Sequence, residues 1–340
     1  MTTGRAELSS RGRDPDLDAS TASAIREGRS APRFQLVPAN QWSETDLPDL
    51  RGRHVVITGA NSGIGRRAAE ALAEVGASLT LAVRDIGKGQ AAASAMNGDV
   101  RVRELDLANL ESVRTFAERT TEPIDIFIAN AGVMAIPLRR TTDGFEMQVG
   151  TNHLGHFALV NLLLPRIRER IVVVSSEAHR QGRIDLDDLN WEQRPYKRWA
   201  AYAQSKLANL LFVHELQRRL RESGSPVKAI TVHPGYAATN LQRHTGSAVL
   251  ATVMTIANQF VAQNDRMGAL PTLYGATMDV PGGSYIGPER WPHLRGYPAL
   301  GRPAKRARDA DVARRLWELS ARLTDVSQPP SRPFPDVTSP

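Results

Sequence analysis

The 340-residue chain is long enough for one large domain or two small ones, and its 41% apolar content suffices for a sizeable core. It contains no cysteine, which excludes a disulfide framework, a thiolate nucleophile and a cysteine-ligated metal, and is what a reducing compartment permits. The formal charge of +7 and pI near 10.0 would suit a polyanionic partner. The basic residues are mostly scattered Arg, however, and the densest run (Arg166, Arg168, Arg170) has no interleaved aromatics, so nucleic-acid binding is not expected.

Residues 1–45 are rich in Ser, Arg, Asp, Ala and Pro without a sustained apolar period, and read as a flexible tail. They have no apolar stretch of the secretory kind, and Glu7, Asp14, Asp16, Asp18 and Glu27 argue against a transit peptide. The longest apolar stretch, Ala248 to Ala262, is interrupted by Thr252, Thr255, Asn258 and Gln259. It falls short of the roughly 20 residues of a membrane span. A soluble, cytoplasmic protein is the expectation. The Pro-rich residues 327–340 read as a second tail.

Between the tails, residues 46–326 read as one domain. His54–Thr58 is an apolar strand, and Ala68, Leu72 and Val75 mark the helix that follows, closed by Gly76. Ser78–Val83 is the next strand, before an Ala-rich helix to Met96. Val100–Glu104 and Ile124–Ala129 are strands flanking a helix that contains Val113, Phe116 and Ala117. A long helix around Phe145–Leu164, the strand Ile171–Val174, a helix over Ala200–Leu220 and the strand Val227–Val232 complete the alternation. Near-continuous apolar strands alternating with helices predict an α/β fold, a doubly wound parallel sheet covered on both faces. The last helix is expected over Asp309–Leu323, with Val312, Leu316, Leu319 and Leu323 on its apolar face and Trp317 beside them.

The first strand runs through TGANSGIG (Thr58 to Gly65) directly into a helix. In that context Gly59 permits a tight turn, Gly63 a close approach of the backbone to a pyrophosphate, and Gly65 close packing of helix on strand. The helix N-terminus offers free N–H groups to phosphates. A tight turn that binds nothing is the bland alternative. The second strand ends in Arg84 and Asp85. Asp85 stands where the next helix needs an N-cap, leaving Arg84 to meet a ribose 2′-phosphate, which favours NADP over NAD. A solvated surface charge is the other reading of Arg84.

Hydride transfer to a carbonyl leaves an oxyanion that needs a proton, and a Tyr hydroxyl, titrating near about pH 10, acts as a base only when a cation lowers its pKa. In YAQSK, Tyr202 and Lys206 are four apart and share a helix face. By itself that spacing also arises by chance.

The glycine turn, ANAG at Ala129–Gly132, the pair Ser175–Ser176 ending a strand and the YxxxK follow one another in the order of the short-chain dehydrogenase/reductase family, which the chain resembles over roughly residues 50–325. TNHLGHF (Thr151–Phe157), VVVSSEAH (Val172–His179) and AYAQSKLANLLF (Ala201–Phe212) resemble the branch holding retinol dehydrogenases, WW-domain oxidoreductases and protochlorophyllide reductases. The resemblance implies a Rossmann fold and an NAD(P)-dependent oxidoreductase acting on carbonyls or alcohols. It implies Tyr202 as general acid/base, Lys206 as the residue that bonds the nicotinamide ribose and depresses the Tyr202 pKa, and Ser176 as the hydrogen-bond partner of the substrate oxygen. Asn152 would order a water relaying protons from Lys206 to solvent. For the cofactor it implies Gly59, Ser62, Gly63, Ile64 and Gly65 at the phosphates, Asp106 with Leu107 near the adenine, and Asn130, Ala131 and Gly132 as the floor. Pro234, Gly235, Tyr236 and Thr239 would hold the nicotinamide amide. Pro234–Gly235 also reads as an ordinary strand-ending turn. His153, His156, His179 and His233 lack ligand spacing, so no metal is expected.

Asn240–Gln263 falls where the family has a lid. Its Val249, Leu250, Val253, Met254 and Ile256 would line an apolar pocket for a small-molecule substrate, or instead serve an oligomer or membrane-surface contact. Trp191 and Trp199 would form the opposite wall, or pack their insertion down. A homo-oligomer is compatible with the sequence. Protochlorophyllide reduction is disfavoured because that chemistry is linked to a cysteine, and the retinoid reading lacks a membrane-anchoring N-terminus. Two other classes remain: an idle NADP(H)-binding sensor or scaffold, against which the complete tetrad argues, and a basic nucleic-acid-binding protein.

Overall fold

The central strands β1 (His54–Thr58) and β4 (Ile124–Ala129) are apolar on both faces. In β1 Val55 and Ile57 join the core on one side of the sheet and Val56 that on the other; in β4 Ile126 and Ile128 oppose Phe127 in the same way. This two-residue alternation between two covered faces is the signature of a parallel sheet between helical layers. The computed structural model describes residues 42–235, 265–290 and 295–326. The expected C-terminal tail, most of the N-terminal one, and the residues Tyr236, Thr239 and Asn240–Gln263 lie outside the described residues.

The chain runs β1, α1 (Gly63–Glu74), β2 (Ser78–Val83), α2 (Ile86–Ala93), β3 (Val100–Glu104), α3 (Leu110–Arg119) and β4. It continues through α4 (Met147–Val149), a π-helical turn (Gly150–Leu154), α5 (Gly155–Leu163), β5 (Ile167–Val174), α6 (Arg198–Glu222) and β6 (Lys228–Val232). After α7 (Asp265–Thr277) come β7 (Tyr285–Arg290), β8 (Arg295–Leu300) and α8 (Ala310–Thr324). The sheet has the order β3-β2-β1-β4-β5-β6-β7-β8; every neighbouring pair is parallel except β7 and β8. The strand order reverses between β1 and β4, which makes the crevice beyond their carboxyl ends the natural ligand site. This is the doubly wound fold expected from the sequence.

α6 is buried almost all round over Ala201–Val213 because it lies between the sheet and α8. Phe157 of α5 and Phe212 of α6 meet at 5.4 Å between ring centroids, and Trp317 of α8 closes on them at 5.0 and 5.7 Å. Each such pair contributes about 1 kcal/mol beyond the area it buries. That cluster fixes the helices from which the site's side chains project. No helix among the described residues is long and apolar enough to cross a membrane.

Four parts of the chain depart from expectation. The stretch around Phe145–Leu164 is one α-turn, a π-turn and a shorter helix, since the Gly155 amide bonds back to the Gly150 carbonyl. In α8 the buried face is Ala313, Leu316, Trp317, Ser320 and Thr324, while Leu323 is exposed; the indole and the bond from Ser320 to His153 turn the helix away from the aliphatic stripe. β7 and β8 had no strand signal, because Gly287, Pro288 and Pro298 interrupt them.

Candidate active site

The turn after β1 passes through Gly59 and Gly63, both in the left-handed region (φ +68° and +54°), into α1. A Cβ at Gly65 would come within 2.2 Å of Asn130 Nδ2 and 2.7 Å of the Gly59 carbonyl. Asn130 fills that contact: its amide donates to the Thr58 carbonyl at 2.9 Å and to the Gly59 carbonyl at 3.4 Å. A Cβ on Gly59 would in turn meet the Ala131 Cβ at 2.9 Å. Ser62 is the exposed N-cap of α1, yet its hydroxyl makes no cap bond, and the first turn carries no acid. The leading N–H groups of the helix, beside half-buried Ile64, therefore face outward with their partial positive charge unopposed.

At the end of β2, Asp85 caps α2 by accepting from the Lys88 amide at 3.0 Å, and it pairs with the Lys88 ammonium at 2.8 Å. Arg84 is exposed and forms no ion pair with any described residue. Asp106, beyond β3, accepts from the Ala108 amide at 2.9 Å through one oxygen. Leu107 is buried, and its carbonyl lies against Gly155, where a Cβ would be 2.4 Å away.

Tyr202 and Lys206 lie one turn apart on α6, both buried. Ser176 caps the 3₁₀ turn after β5, accepts from the Ala178 amide at 3.2 Å, and lies close enough to the Tyr202 phenol to pull its pKa down. Its neighbour Ser175 points the other way and donates to the Lys206 carbonyl at 2.8 Å, pinning α6 to the strand. Lys206 Nζ donates to the Val174 carbonyl at 3.1 Å and sits 5.8 Å from the centre of the Tyr202 ring. The depressed phenol pKa expected from this pair is not what these surroundings produce. Burial pushes Tyr202 up to about 12 against the opposing pull of Ser176, and burial pushes Lys206 down to about 8. The ammonium lies beside the ring rather than on the hydroxyl, so desolvation outweighs it.

Asn152 stands in the π-turn, a distortion that often marks functional positions. Its amide is fully engaged: Oδ1 accepts from Val133 N at 2.8 Å, and Nδ2 donates to Val133 O and Ser205 Oγ, each at 2.9 Å. Its backbone carbonyl oxygen lies 3.2 Å from His156 Nδ1. Gly132 faces both groups, since a Cβ there would lie 3.0 Å from Asn152 Oδ1 and 3.5 Å from Lys206 Nζ.

Two supporting residues, Gln148 and Glu177, had no role assigned from the sequence. Gln148 Oε1 accepts from the Ala135 amide at 2.7 Å and holds that residue in the left-handed region (φ +49°). Glu177 accepts from the Tyr285 hydroxyl at 2.7 Å and from Arg180 Nε at 2.5 Å, with His233 Nε2 at 3.4 Å. Burial would raise its pKa, but Arg180, Tyr285 and His233 together hold it below the usual carboxylate range. Glu177 thereby joins the Ser176 turn to the Pro234–Gly235 turn, where the Gly235 amide donates to His233 Nδ1 at 3.3 Å and Gly235 is left-handed (φ +71°). The four histidines singled out earlier are engaged by protein: His153 with Ser320, His156 with Thr58 and Asn152, His179 with the Ser176 carbonyl and the Ala304 amide, His233 with Gly235. Of the two tryptophans, Trp191 is buried, with Arg194 3.9 Å above its ring and Tyr196 edge-on at 5.6 Å. Only Trp199 flanks the site, 44% exposed and 6.2 Å from the Tyr202 ring.

The short chain dehydrogenase family model matches residues 53–249. The chain belongs to that family. It is 44% identical to human retinol dehydrogenase 13 over 305 residues, covering 84% of this chain and 88% of the relative. With human retinol dehydrogenase 12 the identity is 41% over 292 residues, covering 82% and 88%. A crystal structure of an uncharacterized protein from Mycobacterium Paratuberculosis superposes with a TM-score of 0.75 at 51% identity, covering 85% of this chain and 99% of that one. The dehydrogenase is accordingly an NAD(P)-dependent oxidoreductase acting on alcohol or carbonyl groups. Its own geometry fits such a dinucleotide. The bare Cα of Gly132 adjoins Lys206 and Asn152, the cap hydroxyl of Ser62 is uncommitted, and the glycine turn opens onto the N-terminus of α1.

Proposed function

We propose that the protein reduces hydrophobic carbonyl compounds to alcohols with NADPH, and that Tyr202, Lys206, Ser176 and Asn152 form the catalytic set. The observation that carries this reading is buried Tyr202 with buried Lys206 alongside and half-buried Ser176 next to it, at the carboxyl edge of the sheet. When bound, the reduced nicotinamide supplies the hydride to the carbonyl carbon. Tyr202 gives its proton to the carbonyl oxygen, and the Ser176 hydroxyl bonds that oxygen as negative charge develops on it. A phenol held at about 12 is protonated at neutral pH, which suits donation and hence reduction. Lys206 and a water on the Asn152 carbonyl then return a proton from solvent to Tyr202. Gly59, Ser62, Gly63, Ile64 and Gly65 hold the phosphates, Asp106 and Leu107 the adenine side, and Asn130, Ala131, Gly132, Pro234, Gly235 and Thr239 the remainder.

Preference for NADP rests on Arg84, exposed and free of any described acidic partner, while Asp85 is taken by the α2 cap and Lys88. A guanidinium in that position attracts a 2′-phosphate, and an acid committed elsewhere does not bid for a 2′-hydroxyl. The apolar substrate reading rests on exposed Trp199 against Tyr202, with Leu138 also 47% exposed just beyond the Val133 loop. The names of the retinol dehydrogenases, whose substrate is a long apolar alcohol, agree with it. The test is cofactor consumption, with NADPH and with NADH, over a panel of apolar aldehydes and ketones that includes retinal. Turnover of apolar members with NADPH preferred is expected. Tight NADPH binding with no turnover of any of them would favour a sensor instead.

A further inference from the structure

His156 lies one turn beyond Asn152 and is buried. Its Nδ1 is 3.2 Å from the Asn152 carbonyl oxygen, and its Nε2 is 2.9 Å from Thr58 Oγ1. A carbonyl only accepts, so Nδ1 carries the hydrogen and Nε2 presents a lone pair. Thr58 Oγ1 already accepts from the Asn130 and Ala131 amides, each at 3.0 Å. Its own hydrogen is then directed to Nε2, much nearer than the Ile128 carbonyl at 3.5 Å. The surrounding groups thus select a single neutral tautomer. Burial, aided by the Lys206 charge and opposed by the Asn152 carbonyl, pushes the imidazole pKa down to about 4. The other titratable group acting on this pair of turns is His153 on the same helical run, itself pushed down to about 3 by burial.

We propose that His156 is a positioning residue: one neutral imidazole that aims the Asn152 carbonyl and ties it to Thr58, the first residue of the dinucleotide turn. The proposal rests on the reading of Asn152, Lys206 and Tyr202 as the catalytic set. Because the Asn152 amide is consumed by Val133 and Ser205, the carbonyl is the group on which the proton return depends, and it sits in a π-turn whose hydrogen-bond register is already shifted. His156 fixes its direction. No part of this depends on His156 touching substrate or cofactor.

Two substitutions separate the roles. His156→Phe keeps the volume and removes both bonds. His156→Asn keeps a donor for the carbonyl one turn back, as Asn161 does on the same helix by donating to the Phe157 carbonyl at 2.7 Å. The Phe variant is expected to lose about tenfold to a hundredfold in kcat, the scale of a small misplacement in a proton-transfer site, with NADPH affinity changed less than about threefold. The Asn variant is expected to recover most of kcat. Wild-type kcat in the Phe variant, equal losses in both, or a loss confined to NADPH affinity would overturn the proposal. The wild-type protein supplies a readout that needs no folded variant: ¹⁵N NMR of the imidazole should give the neutral Nδ1–H tautomer down to about pH 5. An Nε2–H tautomer, or an imidazolium at about pH 6, would overturn it as well. Tyr202→Phe assayed alongside distinguishes the two claims. If that variant stayed active, the catalytic assignment would fall, whereas the NMR result judges His156 independently.

Discussion

Lys206 Nζ lies 5.8 Å from the centre of the Tyr202 ring, on the same face of α6, and gives a hydrogen bond at 3.1 Å to the Val174 carbonyl. Both groups are buried, and burial moves each toward its neutral form: the phenol up to about 12 and the ammonium down to about 8. At neutral pH the pair therefore holds a proton on the phenol and a charge on the ammonium. That is the state in which a carbonyl oxygen can be protonated.

The pH dependence of the two directions follows. Reduction needs the protonated phenol and the charged Lys206, so its kcat should be flat at neutral pH and fall as pH rises through about 8, where Lys206 loses its charge. Alcohol oxidation needs the phenolate and should rise with pH. Steady-state profiles in both directions check this; reduction that accelerates above about 8 would contradict it.

Acid stability should carry the mark of two buried histidines. Burial pushes His153 and His156 down to about 3 and about 4, from the ordinary imidazole value of about 6.5. The unfolded chain binds their protons first, so the stabilisation is complete above about 6.5 and declines as pH falls below it. The slope is up to about 1.4 kcal/mol per pH unit for each histidine. Urea midpoints at several pH values, for the wild type and for His153→Phe, would measure it; the variant should have the shallower acid slope.

Arg84→Ala should weaken NADPH about tenfold or more and leave NADH nearly unchanged, because only the 2′-phosphate presents a charge to the guanidinium. Equilibrium titration of both cofactors decides the matter. Equal losses would remove Arg84 from the cofactor assignment.

Gly65→Ala should both destabilise the protein and impair dinucleotide binding. Its Cβ would enter the contact made by Asn130 Nδ2 and the Gly59 carbonyl, and backbone cannot withdraw cheaply. Overpacking of this kind costs about 1–3 kcal/mol. A variant with unchanged Tm and NADPH affinity would contradict the close packing described here.

Much of this was legible in the residue order. Six strands and the glycine turn could be read because runs such as Val55–Ile57 and Ile126–Ile128 are apolar on both faces, and because Gly59, Gly63 and Gly65 stand between a strand and a helix. Asp85 was legible as a cap from its position alone, and it caps α2. What could not be read depends on distance through space. The pKa shifts of Tyr202 and Lys206 come from burial of both side chains, Lys206 against the Val174 carbonyl and Gly132 and Tyr202 against Trp199, which no i, i+4 spacing encodes. The π-turn at Asn152 shifts one hydrogen-bond register without disturbing the apolar pattern. The link from His156 to Thr58 joins positions 98 residues apart. Trp191 and Trp199 look alike in sequence, and only the packing of Arg194 and Tyr196 on Trp191 separates them.

The central claim is that the Tyr202 hydroxyl supplies the proton while the rest of the site binds the dinucleotide. The most direct measurement is Tyr202→Phe, assayed for NADPH-dependent reduction of an apolar aldehyde and, in parallel, for NADPH binding. Turnover should fall by about a hundredfold or more with affinity within about twofold of wild type, since only the proton donor is removed. A variant that binds NADPH normally and keeps most of its turnover would contradict the account.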